Sequence, residues 1–124
     1  MIDYELLKAE GILILRPKGR LEAADFEKVA REIDPWIEAH GKFHGLMIDA
    51  AAFPGWKDFA ALVAHLRFVR EHHKKIERIA VVSDSSFLAV APKIASHFVQ
   101  ADRRHFADSQ REEALAWLRG ALET

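Results

Sequence analysis

The sequence predicts one α/β domain built on a mixed β-sheet. The runs GLMID (residues 45–49) and IAVVS (79–83) are apolar almost throughout, as in strands that are covered on both faces. A helical pattern separates them, and a strand, helix, strand order implies a parallel right-handed crossover. A chain of 124 residues can bury a core of its own. We therefore expect a single domain over residues 1–124.

An N-terminal β-hairpin is predicted from two β-prone runs, about Ile2 to Lys8 and about Ile12 to Lys18. Glu10 and Gly11 lie between them, and glycine supplies the positive φ that a tight two-residue turn requires. These are the first two strands.

The first helix is marked by apolar residues at helical spacing and by Gly41, which stands where a helix commonly stops. Pro35 lies inside this segment and cannot donate a backbone hydrogen bond, so we expect a kink or a break there. The apolar residues are Phe26, Val29, Ala30, Ile33 and Ile37.

The second helix, between the two central strands, carries two stripes of residues. The first is predicted to face the core and consists of Phe59, Leu62, Val63, Leu66 and Val69. The second stripe lies beside it and consists of Ala61, Ala64, His65 and Phe68.

The C-terminal part predicts a third helix, an edge strand and a closing helix. The third helix contains Phe87 to Phe98, and Pro92 leaves its start open. ADRRHF (101–106) is short and charged, as suits an edge strand. Ser109 and Glu112 have capping-box spacing before the closing helix, which places Leu115, Leu118 and Leu122 on one face. The predicted order is ββαβαβαβα, with five strands, a parallel centre and four helices.

This order resembles that of the SpoIIAA-like proteins, small bacterial relatives of STAS domains that are also grouped with CRAL-TRIO lipid-binding domains. The residues that carry the resemblance are Asp49, Phe53, Gly55 and Trp56 after the third strand, RIAVVSD (78–84), and the terminal HF and EEALAWL. The resemblance implies a SpoIIAA-like fold with an antiparallel strand leading at the edge. It implies partner-protein, nucleotide or lipid binding rather than one activity.

One departure from this family concerns a serine. Anti-sigma-factor antagonists with this fold carry a phosphorylatable serine after the third strand, near the start of the second helix. The corresponding segment here, AAAFPGWKDF (50–59), has neither serine nor threonine, so no phosphorylation switch is expected there. Ser85 and Ser86 follow the fourth strand instead, and we give them little weight as a regulatory site.

The candidate site lies where the two central strands end, because open α/β sheets bind ligands at the carboxyl ends of their strands. Helix N-termini at this edge would offer backbone amides to an anion. A purely structural reading is favoured for the tryptophan, which would clamp the second helix onto the core, and for the aspartate, which would cap backbone amides. The candidate residues are Asp49, Phe53, Gly55, Trp56, Ser83, Asp84, Ser85 and Ser86.

Composition excludes several classes of function. A net charge of −1 and a pI near 6.7 give no overall positive field for nucleic acid. No cysteine is present, and no apolar run approaches the length of a membrane span. Because no signal peptide is recognised either, we expect a cytoplasmic protein. The seven histidines lack metal-ligand spacing, so no metal and no cofactor is expected.

No catalytic motif is found, and the sequence favours a non-enzymatic binding or regulatory module that recognises a partner protein or a small anionic ligand. One alternative is a carrier of a small lipid or other apolar ligand, in which Phe53 and Trp56 line a pocket. The other alternative is an enzyme whose residues assemble only in space. Phe68, Trp36 and Trp117 leave a homodimer open.

Overall fold

A computed structural model describes residues 1–50, 55–83 and 102–120 of the chain. The elements, in chain order, are β1 (Ile2–Leu7), β2 (Ile12–Pro17), α1 (Ala23–His40), β3 (Phe43–Asp49), α2 (Phe59–His72), β4 (Ile76–Val82), β5 (Asp102–Phe106) and α3 (Arg111–Leu118). Short 3-10 turns at His73–Lys75 and Asp108–Gln110 lead into β4 and α3.

The five strands form one mixed sheet in the order β1-β2-β3-β4-β5. β1 pairs with β2 antiparallel, and the pairs β2 with β3, β3 with β4 and β4 with β5 are all parallel. The predicted parallel centre and antiparallel N-terminal strand are therefore confirmed, and the charged fifth strand lies at an edge of the sheet, as predicted.

The number and order of helices differ from the prediction. The described residues contain three α-helices, in the order ββαβαββα, where four helices were predicted in the order ββαβαβαβα. The difference is the predicted third helix around Phe87 to Phe98, which lies outside the described residues.

Two hydrophobic clusters lie on opposite faces of the sheet, because successive strand residues alternate between faces. On one face, α1 and α2 pack over residues such as Leu13, Leu46 and Ile79. On the other face, α3 packs over residues such as Met47 and Val82. The sheet is thus covered on both sides, as its continuous apolar strands predict.

The turn of the hairpin is longer than predicted. Leu7 pairs with Ile12, so four residues and not two connect β1 to β2. The amides of Glu10 and Gly11 both donate to the carbonyl oxygen of Leu7, at 3.1 and 2.9 Å. Gly11 has φ +66°, the positive φ that was predicted for a glycine in this turn.

Helix α1 runs through Pro35 as one helix from Ala23 to His40, so the predicted break does not occur. Its buried residues are those that the spacing predicted, namely Phe26, Val29, Ile33 and Ile37. Packing of this continuous apolar stripe on the sheet outweighs the single hydrogen bond that proline removes.

Helix α2 buries the second of its two stripes and not the predicted core stripe. Phe59 and Val63, from the predicted core stripe, are 77% and 37% exposed, whereas Ala61 from the second stripe is fully buried. His65 and Phe68 of that second stripe stack on or pack beside Phe26 of α1. Apolar residues surround most of this helix, so its periodicity was ambiguous. Ala64 of the second stripe also packs against the cluster that contains Phe26 and Val29 of α1.

Three aromatic residues of uncertain burial are now placed. Trp36 is stacked between His40 and Phe43, with ring centroids 4.2 and 4.3 Å away. Trp117 lies beside Phe106, under the guanidinium of Arg78. Trp36, Phe68 and Trp117 are half-buried and pack against the core clusters.

The closing helix starts later than the capping box predicted. Ser109 lies inside a 3-10 turn, and α3 begins at Arg111. The side chain of Gln110, through Oε1, accepts the amide of Ala107 at 3.0 Å, so a glutamine closes this turn instead of the Ser109 hydroxyl. Ala114 and Leu118 are buried on the sheet, and Leu122 lies outside the described residues.

Gly45 allows α3 to approach β3 closely. A Cβ atom at this position would lie 2.7 Å from Cδ2 and 2.9 Å from Cβ of Leu118. We expect Gly45→Ala to lower the free energy of unfolding by about 1–3 kcal/mol, as overpacking of a core does. Urea unfolding measures this change. In a Leu118→Ala background, which removes Cδ2 but keeps Cβ, the same substitution should cost less, and equal costs in both backgrounds would disprove the contact with Cδ2.

Candidate functional site

The carboxyl ends of β2, β3, β4 and β5 lie along one edge of the sheet, which we call the carboxyl edge. Asp49 is the last residue of β3 and pairs with Val82, the last residue of β4. Ser83 follows immediately, and its amide donates to the carbonyl oxygen of Phe106 at 3.1 Å. The prediction that the ends of the two central strands meet at one edge is confirmed.

Asp49 is held between two arginines at this edge. Its carboxylate binds Arg111 through two contacts, Nε to Oδ2 at 3.0 Å and Nη2 to Oδ1 at 3.1 Å. Nε of Arg16 lies 3.4 Å from Oδ2. The hydrogen bond to Asp49 raises the pKa of the Arg111 guanidinium. We call Arg16, Asp49 and Arg111 the rim cluster.

The rim cluster lies on the α3 face of the sheet. Arg111 is the first residue of α3, and Asp49 follows Met47 in the alternation of β3. The Asp49 side chain is only 10% exposed, whereas those of Arg16 and Arg111 are 37% and 50% exposed. In the described residues the Asp49 carboxylate binds guanidinium groups, and residues 51–54, whose amides it was predicted to cap, lie outside the described part of the chain.

We expect Asp49→Ala to lower the free energy of unfolding by about 1–2 kcal/mol, because it leaves two guanidinium groups together without their shared carboxylate. The partial exposure of both arginines keeps this cost below that of a fully buried pair. Glu10→Ala is the matched control, since it breaks the partly exposed ion pair between Glu10 and Arg119, the residue that follows α3. Urea unfolding should show a loss below about 0.5 kcal/mol for that control, and equal losses would contradict a special role for Asp49.

Trp56 joins the start of α2 to the segment after β2. Leu21 and Trp56 form an isolated parallel bridge, in which the amide of Leu21 donates to Gly55 and that of Lys57 donates to Leu21, both at 2.8 Å. Gly55 has φ +85°, which favours glycine at this turn. Asp58 then caps α2, its Oδ1 accepting the amide of Ala61 at 2.9 Å.

The indole of Trp56 is bonded to a histidine of α2. Nε1 donates to Nδ1 of His65 at 3.0 Å, which places the proton of the neutral imidazole on Nε2. The His65 ring stacks on Phe26 with centroids 4.8 Å apart. Burial lowers the pKa of His65 to about 4, so the ring is neutral at pH 7. These contacts explain why a tryptophan stands at this turn: it anchors the start of α2 on the face of the sheet that α1 and α2 cover.

Ser83 is completely buried at the end of β4. Nε2 of His105, on β5, lies 3.0 Å from its carbonyl oxygen and 3.1 Å from its hydroxyl oxygen. Only a protonated nitrogen can bond the carbonyl, so Nε2 is a donor here. In this state the histidine cannot accept a proton from the serine.

The structure therefore divides the described candidates between two faces of the sheet. Asp49 belongs to the rim cluster on the α3 face, while Trp56 belongs to the α1 and α2 face, where Val81 also points. Ser83 follows Val82 and so returns to that second face by alternation. The remaining candidates, Phe53, Asp84, Ser85 and Ser86, lie outside the described residues.

Five residues with a role here were not among the candidate site residues predicted from the sequence: Arg16, Asp58, His65, His105 and Arg111. Asp58 carried a readable signal, since an aspartate directly before a helix is a common N-cap. The others had none, because Asp49 and Arg111 are 62 residues apart and only the fold brings them together.

A five-stranded sheet with a parallel centre, led by an antiparallel edge strand and covered on both faces, defines a small α/β protein of the STAS type. The family model described as SpoIIAA-like matches residues 12–119. The chain belongs to the SpoIIAA-like family, and the resemblance stated from the sequence is confirmed.

A solved structure supports the same fold. The chain is similar to the crystal structure of an uncharacterised protein of the DUF3478 family with a SpoIIAA-like fold, from Shewanella loihica PV-4, with 22% identity and a TM-score of 0.66. The match covers 95% of this chain and 92% of that one. No curated protein matches the chain.

The described residues contain neither a membrane-spanning helix nor a metal-binding group of side chains. Over residues 1–50, 55–83 and 102–120, no helix is long and apolar enough to cross a bilayer. Within the same ranges, histidine and acidic side chains form no group of three that could hold a metal ion.

Proposed function

We propose that this protein is a non-enzymatic, STAS-like binding or regulatory module of a bacterial cytoplasm, which recognises a partner protein or a small anion at its carboxyl edge. The rim cluster carries this proposal. It places two partly exposed guanidinium groups over one nearly buried carboxylate, at the edge where open α/β sheets bind their ligands.

The geometry of the rim cluster suits recognition of an anionic group. Asp49 binds Nε and Nη2 of Arg111 and thereby fixes the plane of the guanidinium. Among the described contacts, Nη1 of Arg111 has no protein partner. A guanidinium that is already oriented loses less entropy when it binds a carboxylate or a phosphate, and its planar donors match either group.

The pair of Ser83 and His105 gives no support to the enzyme alternative. A nucleophilic serine must meet its substrate and must donate its proton to a base. The Ser83 side chain is fully buried, and the nearby nitrogen of His105 already donates to a carbonyl oxygen. This geometry is that of a structural tie between β4 and β5.

The carrier alternative depended on Phe53, which lies outside the described residues, and on Trp56. The indole nitrogen of Trp56 is bonded to His65 and its backbone is paired with Leu21. These contacts favour anchoring over the lining of a pocket. We therefore prefer the carboxyl-edge module.

The proposal is tested by comparing Arg111→Gln with Arg119→Gln. Both arginines belong to the α3 region and are partly exposed in an ion pair, Arg111 at the carboxyl edge and Arg119 at the opposite edge with Glu10. We expect a protein captured from isotope-labelled lysate by wild type and by Arg119→Gln to be lost with Arg111→Gln. Its affinity is then measured with the purified partner.

A small anion is tested by NMR titration with inorganic phosphate and with acetate. Chemical-shift changes that are centred on Arg16 and Arg111, and abolished by Arg111→Gln, would support an anion site. Equal behaviour of the two variants in both the capture and the titration experiments would overturn the proposed use of the carboxyl edge.

A further inference from the structure

Two histidines of α2 face α1, and their surroundings impose different protonation states. His65 and His72 are seven residues apart, about two turns, and therefore lie on the same side of the helix. His65 has one acceptor role fixed by the indole of Trp56 and is neutral. The surroundings of His72 are of another kind.

Both ring nitrogens of His72 face acceptors. Nδ1 lies 2.8 Å from the carbonyl oxygen of Phe68, one turn earlier in α2. Nε2 lies 2.8 Å from Oδ1 of Asp34 in α1. The ring is stacked on Phe68, with centroids 4.2 Å apart, and His72 is only 5% exposed.

Neither acceptor can donate a proton. A carbonyl oxygen has none, and an ionised carboxylate only accepts. A neutral imidazole carries one N–H and can satisfy one of these two contacts, whereas an imidazolium carries two and satisfies both. The charged ring also complements the negative C-terminal end of the helix dipole of α2.

We propose that His72 is a pH-dependent latch, which ties the end of α2 to the middle of α1 when its ring is protonated and loosens that tie when the ring is neutral. Asp34 is the charged group that contacts the ring, and its side chain is 50% exposed. The other described charged side chains on neighbouring turns are exposed: Arg31, Glu38, Arg70, Glu71, Lys74 and Lys75. The latch is independent of the carboxyl edge and of any partner there.

The direction of the effect follows from the two contacts. The protonated ring makes both hydrogen bonds, so the latch stabilises the folded chain at low pH and loses strength as the pH rises. The test range is about pH 5.5 to 8.5, which lies above the titration of free carboxyl groups near pH 4. Neutral His65 acts in the opposite direction, which separates the two histidines.

The first test is ¹⁵N NMR of the imidazole rings in the wild-type protein. At about pH 5.5, above the titration of free carboxyl groups, His72 should show protons on both ring nitrogens, and these protons should be protected from exchange with water. His65 should show a proton on Nε2 alone. A neutral His72 ring under these conditions would overturn the proposal, and this measurement needs no variant.

The second test compares unfolding constants from urea titrations. The unfolding constant of Asp34→Ala, divided by that of wild type, should fall about tenfold as the pH rises through this range. This is the size expected for a hydrogen bond to a charged group that is partly screened. Glu38→Ala, one turn further along α1, is the control and should give a constant ratio. A ratio for Asp34→Ala that does not change with pH would also overturn the latch.

Discussion

Phe43→Ala is expected to lower the free energy of unfolding by about 3–5 kcal/mol, the range for truncating a buried phenylalanine. Phe43 begins β3, is fully buried, and stacks on Trp36 of α1 with ring planes 7° apart. Its removal would leave a cavity between α1 and the sheet, and the rigid surroundings could fill that cavity only in part. Urea or thermal unfolding measures the change.

Phe59→Ala is the matched control, because it makes the same chemical change on a side chain that is 77% exposed. We expect its free energy of unfolding to stay within about 0.5 kcal/mol of wild type. The helical spacing of α2 predicted Phe59 in the core, so the two variants also test the orientation of this helix. A large loss for Phe59→Ala would restore the orientation that the sequence predicted.

His65 is expected to make the protein less stable as the pH falls from about 6.5 to about 4. Burial lowers the pKa of His65 in the folded chain to about 4, below its ordinary value of 6.5, so in this window the unfolded chain binds the proton and the folded chain does not. The free energy of unfolding therefore rises with pH, by up to about 3 kcal/mol across the window.

His65→Asn separates this contribution from the other titrating groups. The asparagine side chain keeps an oxygen that can accept the indole N–H of Trp56 and carries no titratable charge. The difference in free energy of unfolding between wild type and His65→Asn should increase with pH up to about 6.5 and then level off. A difference that is independent of pH would refute the neutral, buried state of His65.

Much of the sheet could be predicted because its signals are local. Continuous apolar runs marked β3 and β4, and the two β-prone runs that flank Glu10 and Gly11 marked the hairpin. The parallel centre followed from a helix between two strands, because the crossover rule leaves one common arrangement. The sequence alone thus predicted correctly that β3 and β4 end at the same edge of the sheet.

The orientation of α2 could not be predicted from spacing. Apolar residues occur on most sides of this helix, so two stripes competed for the core. The decision rested on which stripe fits against α1, where the rings of His65 and Phe68 pack against Phe26 and Ala64 packs on the same cluster. That fit depends on the shape of a second helix.

The sequence by itself determined the strands, the hairpin, the apolar stripe of α1 and the family, since each depends on the order and periodicity of neighbouring residues. The tertiary structure decided which face of α2 is buried, that Asp49 binds Arg16 and Arg111, and that Trp56 binds His65. Hydrogen bonds and ion pairs require atoms within about 3 Å. For residues far apart in the chain, only the packing of the sheet and its helices sets such distances.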